Sequence, residues 1–99
     1  MRPIHRATLD KTRPVLVLTR EVVRPHLHSV TVAPITSTIR GLSTEVRVGT
    51  RNGLGQESVV ACDHITTIPA HALGEQIGLL LEDQESHLTE AIHAAFDLE

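Results

Sequence analysis

Apolar and polar residues follow two different periods along this chain. Over most of its length the apolar runs are short and strand-like, and only near the C-terminus does the spacing lengthen to three and four. The run RPVLVLT, Arg13 to Thr19, is nearly continuous in apolar residues and reads as a strand buried on both faces. HSVTVAPIT, His28 to Thr36, predicts a second strand, in which Val30 and Val32 alternate with Thr31. Pro34 is expected to stop its ladder pairing and free the hydroxyl-rich stretch Thr36, Ser37 and Thr38, which Arg40 and Gly41 close. In STEVRVGT, Ser43 to Thr50, Val46 and Val48 alternate with Glu45 and Arg47, so one face is wet.

RNGLG, Arg51 to Gly55, carries turn chemistry. ESVVACDHITTI, Glu57 to Ile68, predicts a strand with an extended continuation, followed by Pro69 and a short helical turn over AHAL. GEQIGLLL, Gly74 to Leu81, is the expected last strand, and PIHRATLD, Pro3 to Asp10, the first. From Asp83 to Leu98 the positions Leu88, Ala91, Ile92, Ala95 and Phe96 form one helical face, with Asp83 as expected N-cap and Glu85 favourable to the helix dipole. These elements predict an α+β fold: a small curled antiparallel sheet or barrel closed by a C-terminal helix.

Composition narrows the function. Ninety-nine residues are expected to form one domain, residues 1–99, with one modest core. That core is aliphatic, because Phe96 is the only aromatic. RNA binding would therefore rest on charge, hydrogen bonds and shape rather than on stacked rings. Cys62 is the only cysteine, so no intrachain disulfide forms, which fits a reducing cytoplasm, and a buried, inert thiol is expected. Neither a membrane-spanning run nor a signal peptide is expected. All nine basic residues lie between Arg2 and Arg51, against three acids there, a formal +6; the remainder holds nine acids and no Lys or Arg. This asymmetry points to a basic face for a polyanion.

The chemistry-bearing candidates are few. There is no nucleophile elbow and no P-loop, and GLG at Gly53 to Gly55 does not make a nucleotide fingerprint. His26 and His28 read as exposed polar residues in the turn after Pro25, and no metal or other cofactor is expected. Taken singly, Arg13 reads as a solvated strand end, and Thr36 and Ser37 as turn formers.

Taken together, RPVLVLT (13–19), VTVAPITSTIRG (30–41), GLGQESVVACDHITTI (53–68) and LGEQIGLLL (73–81) resemble, in order and spacing, the MazF/PemK toxins of bacterial toxin–antitoxin modules. The short N-terminus is most similar to the actinobacterial, mycobacterial-type branch. The resemblance implies an SH3-like barrel acting as a homodimer. It also implies a sequence-selective, metal-independent endoribonuclease that cuts single-stranded RNA by attack of the 2′-hydroxyl, inhibits translation and growth, and is silenced by a MazE-like antitoxin. The RNA implied is messenger RNA or loops of ribosomal or transfer RNA.

By the same resemblance Arg13 and Thr36 are the catalytic pair, and Thr19, Arg20, Ser37, Asp63 and His64 contact RNA. Arg13 would chiefly stabilise phosphorane charge, with protonation of the leaving oxygen as a second role, and Thr36 would donate to the phosphate. His64 is open between a structural role and a hydrogen bond to a base edge. MRPIHRATLDKT departs from the family: it is short and lacks an aromatic and a glycine. Thr8 falls near the position where the family's loop often holds a glutamate, and Asp10 is the substitute acid. A clipped loop implies a more open groove that admits structured RNA. Two alternatives remain: a gyrase-poisoning relative acting on a protein, and a barrel that binds RNA without cutting it.

Overall fold

The computed structural model describes residues 2–98. Seven strands and one helix follow in order: β1 (Arg2–Thr8), β2 (Thr12–Val17), β3 (Ser29–Thr36), β4 (Glu45–Val48), β5 (Ser58–Ala61), β6 (Thr66–Pro69), β7 (Leu73–Leu80) and α1 (Glu85–Ala95). All strand pairs are antiparallel, in the order β4-β5-β3-β2-β1-β7, with β6 beside β3. The sheet curls into a half-barrel and α1 closes it, as the two periods of the sequence predict. No helix among the described residues is long and apolar enough to cross a membrane.

The aliphatic run in β2 is buried on both faces. Leu16 joins a larger cluster with Ile4, Ile35, Val46, Val60 and Leu80, onto which α1 packs Leu88 and Ala91. Val15 and Val17 point the other way, into a second cluster with Ala7, Val30, Val32 and Ile68. Two clusters thus replace the single core expected. The curl makes this affordable in so short a chain, because one sheet forms a wall of both.

Three local features differ from the pattern-based reading. The stretch Glu57 to Ile68 is two strands, because a 3-10 turn at Cys62–His64 interrupts it. The helix begins at Glu85, after a 3-10 turn at Glu82–Gln84, and no side chain caps it. Asp83 instead accepts from Arg51 Nη2 at 3.0 Å.

Pro34 also does not end β3. Thr31 faces β2, since its carbonyl accepts from Leu18 N at 2.8 Å and its N–H donates to Thr19 Oγ1 at 2.8 Å. By alternation the even-numbered residues of β3 face the other side, where β6 pairs residues 29–32 and β5 pairs residues 35–36. The missing N–H of Pro34 falls in the gap between those partners, so the strand continues.

Candidate functional site

The register of the sheet juxtaposes the two residues singled out for chemistry. Val15 lies opposite Pro34, and Leu16 opposite Ala33. Continued by two residues, the same register sets Arg13 opposite Thr36, on the face that Val15 and Pro34 share. There β3 has ended its pairing with β2 and pairs only with β5, through Thr36 and Val59. A cleft of about 450 Å³ opens at this place, lined among others by Asp10, Arg13, Thr36, Arg40, Asp63 and His64.

Arg13 is held, but not fully occupied. The β1–β2 connection is a tight turn, closed by Thr8 opposite Thr12, and it carries Asp10 into the cleft wall. Arg13 Nη2 donates to Asp10 Oδ1 at 3.1 Å and Oδ2 at 3.4 Å. The Arg13 side chain is 27% exposed. Its Nε is buried and has no acceptor among the described residues, so only part of the guanidinium's donor capacity is used.

Thr36 Oγ1 accepts from Thr38 N at 3.1 Å, which leaves its own hydroxyl proton free to donate outward. Asp63 Oδ2 accepts from Thr44 Oγ1 at 2.6 Å. His64 ends the 3-10 turn Cys62–His64, is exposed, and lines the cleft. Just inside that turn lies Cys62, whose thiol is pushed up to about 11 by burial and by the neighbouring Asp63 carboxylate.

Four of the seven residues expected in the site therefore line one cleft: Arg13, Thr36, Asp63 and His64. Ser37 is exposed beside it, next to Thr36. Thr19 and Arg20 lie beyond the opposite end of β2, about 20 Å along the strand from Arg13. Thr19 Oγ1 is spent on Thr31 N, and the Arg20 carbonyl accepts from Val23 N and Arg24 N. Within one chain they are not brought to the cleft.

The structure adds Thr38, Arg40, Leu42 and Glu45 to the lining. Glu45 reads in sequence as the wet face of a strand, and alternation alone does not tell a wet face from a cleft wall. His26 and His28, by contrast, are exposed away from the cleft.

Part of the asymmetric charge of the sequence is folded into three ion pairs. Arg2 meets Glu85, Arg6 meets Glu75 and Arg51 meets Asp83, each joining the basic part of the chain to the acidic part. Arg13 and Arg40 line the cleft together with three acids, Asp10, Glu45 and Asp63.

Comparison with known proteins adds a consistent set of relatives. The family described as PemK-like, MazF-like toxin of type II toxin-antitoxin system matches residues 3–96. "Endoribonuclease MazF3" of Mycobacterium tuberculosis is 68% identical over 99 residues, covering 100% of this chain and 96% of that protein. The solved structure "Mycobacterium tuberculosis toxin MazF-mt6" superposes with a TM-score of 0.97 at 67% identity, over 99% of each chain. A more distant structure, "Endoribonuclease in complex with its cognate antitoxin from Mycobacterial species", has the same fold at 23% identity, with a TM-score of 0.87 over 98% of this chain and 93% of that one. By sequence over nearly its whole length, and by fold, the chain belongs to the PemK-like, MazF-like toxins of type II toxin–antitoxin systems.

Proposed function

We propose that this toxin is an endoribonuclease whose cleavage centre is the cleft holding Arg13 and Thr36. The observation that carries the reading is the register that sets a partly unspent guanidinium opposite a hydroxyl in an open cleft. In this reaction the 2′-oxygen of one nucleotide gives up its proton and attacks the adjacent phosphorus, and the bond to the 5′-oxygen breaks, leaving a 2′,3′-cyclic phosphate and a 5′-hydroxyl whose proton comes from Arg13 or from water. Charge builds on the non-bridging oxygens of the phosphorane. Arg13 stabilises that charge and Thr36 donates to one of those oxygens, so no metal is required. Asp10 aims the Arg13 fork and is the carboxylate best placed to take the 2′-hydroxyl proton. Asp63 and His64 are assigned to base edges and Ser37 to a neighbouring phosphate. Thr19 and Arg20 serve RNA only where the strand runs on past the cleft or a second protomer supplies them.

The protein acts as a homodimer in the cytoplasm, where its RNA substrates are, and a MazE-like antitoxin covers the cleft. The buried free thiol of Cys62 is compatible with a reducing compartment. The tight β1–β2 turn leaves the groove open on that side, which suits structured RNA. One sequence offered as a linear strand and as a hairpin loop tests this: faster cutting of the loop is expected, and equal cutting of both removes the idea.

The central test is cleavage of a mixed RNA pool in EDTA by wild type, Arg13→Ala and Thr36→Ala, with folding checked by circular dichroism. Discrete cuts by wild type, lost in both folded variants, are expected. Undiminished cutting by Arg13→Ala would overturn the site assignment.

A further inference from the structure

A second arginine, Arg40, lines the cleft from the loop between β3 and β4. It has no ion-pair partner among the described residues, whereas Arg13 is tied to Asp10. The loop that carries it is fastened from inside the cleft. Glu45 Oε1 accepts from three consecutive backbone N–H groups, Arg40 at 3.2 Å, Gly41 at 2.8 Å and Leu42 at 3.1 Å. Its Oε2 lies 3.3 Å from the Arg40 N–H. Gly41, at φ +76°, supplies the left-handed turn that makes these amides converge. Hydrogen bonds to a charged acceptor are the strong ones, so this clamp fixes the loop backbone and the root of the Arg40 side chain.

We propose that Arg40 binds an RNA phosphate next to the scissile one, and that Glu45 is the positioning residue that holds it there. This rests on the nuclease reading of the cleft and deepens it. Successive phosphates of a single strand need separate cations. Arg13 lies on the β2 wall and Arg40 on the loop wall, so the two hold the backbone at two points across the cleft. Arg40 then serves affinity and register, while Arg13 serves the transition state.

The test is the affinity of the full-length protein for a short, mixed-sequence, fully 2′-O-methylated RNA, read by fluorescence anisotropy at several salt concentrations. Losing one phosphate contact lowers the slope of log affinity against log salt by about 0.7. Arg40→Ala is expected to show that change with a loss of about tenfold in affinity. On cleavable RNA its kcat/KM should fall in step with that loss of affinity. Arg40→Lys should restore the slope, since a lysine still offers a point charge. Glu45→Ala should repeat the Arg40→Ala effect, the double variant should add nothing, and Glu45→Gln, which keeps an acceptor oxygen, should lose less.

An unchanged slope in Arg40→Ala, additive losses in the double variant, or no binding of the probe by wild type would each overturn the proposal. So would loss of affinity for an oligoglutamate peptide with the RNA slope intact, which would assign Arg40 to a protein partner. Wild type that binds the probe with an Arg40-dependent slope but cuts no RNA would defeat the nuclease reading, and with it the place of Arg40 beside a scissile phosphate, leaving only its phosphate contact.

Discussion

At the scale of single side chains, Asp10 and Cys62 each lead to a measurable expectation. Asp10 fixes one edge of the Arg13 guanidinium from a turn only a few residues away. Asp10→Asn keeps an acceptor oxygen but loses the charge. It is expected to lower the single-turnover rate by about tenfold or more with less effect on KM, because the contact matters most when charge develops on the phosphorane. Cys62 gives a pH signature. Its folded thiol titrates at about 11, against 9.0 in the unfolded chain. The neutral form is thus favoured by the fold: below pH 9 the effect is absent, and stability is lost as pH rises from about 9 through 11. Cys62→Ala should therefore show a smaller fall in Tm than wild type across that window, and equal slopes would remove Cys62 as the cause.

Individual residues were legible in the sequence to different degrees. Arg13 and Thr36 stood out through ordered motifs, not through their own chemistry, since an Arg at a strand end and a Thr after a proline are ordinary. Their juxtaposition depends on the register of β2 against β3, which no short window reveals. Glu45 and Arg40 went unassigned because their significance lies in backbone amides that a loop brings together only in three dimensions.

At the scale of elements, the strands in the β2 and β3 runs were readable because apolar runs bounded by turn residues carry a strong signal. The interruption at Cys62–His64 was hidden by the β-branched residues on either side of it. The helix start was misplaced because Asp83, a good capping residue by type, is used by Arg51 instead. What holds this corner is a pair of buried amides. Asn52 Nδ2 donates to Gln84 Oε1 at 2.7 Å and to the Leu79 carbonyl at 2.9 Å, and Gln84 Oε1 also accepts from Leu81 N at 2.8 Å. These bonds join the β4–β5 connection, the end of β7 and the approach to α1.

The backbones there touch. A Cβ on Gly78 would lie 1.7 Å from the Asn52 carbonyl oxygen. Gly78→Ala should therefore cost at least about 2 kcal/mol, and Gln84→Ala about 2–3 kcal/mol through unpaired polar groups. Both are measurable by urea denaturation, and RNA cleavage by the fraction that remains folded should be nearly unchanged. A loss under 0.5 kcal/mol at Gly78 would show that this contact relaxes freely; that threshold is roughly the scatter of surface substitutions.

For the whole molecule, charge has two separate uses. The ion pairs Arg2–Glu85, Arg6–Glu75 and Arg51–Asp83 are partly or largely exposed, and exposed pairs contribute only about 0–1 kcal/mol each. Raising NaCl through the molar range should move Tm little. The same salt should weaken RNA binding steeply, because phosphate contacts release counterions. Parallel melting and binding series would separate these effects, and a Tm that falls as steeply as affinity would show that the pairs carry the fold. The charge asymmetry of the sequence was a poor guide to this division, since three ion pairs between the two parts of the chain cancel half of the formal +6.

The pairing of β1 with β7 has a consequence for the making of the protein. Residues 2–8 find one of their two neighbours only in residues 73–80, so the sheet cannot be completed while the later strand is still unsynthesised. Such long-range pairing is the slow step in folding. Nascent chains stalled before residue 73 should remain open to proteolysis, and protection should appear only once β7 has left the ribosome. A ribosome making this toxin would thus hold an unfinished sheet until the codons for residues 73–80 have been read.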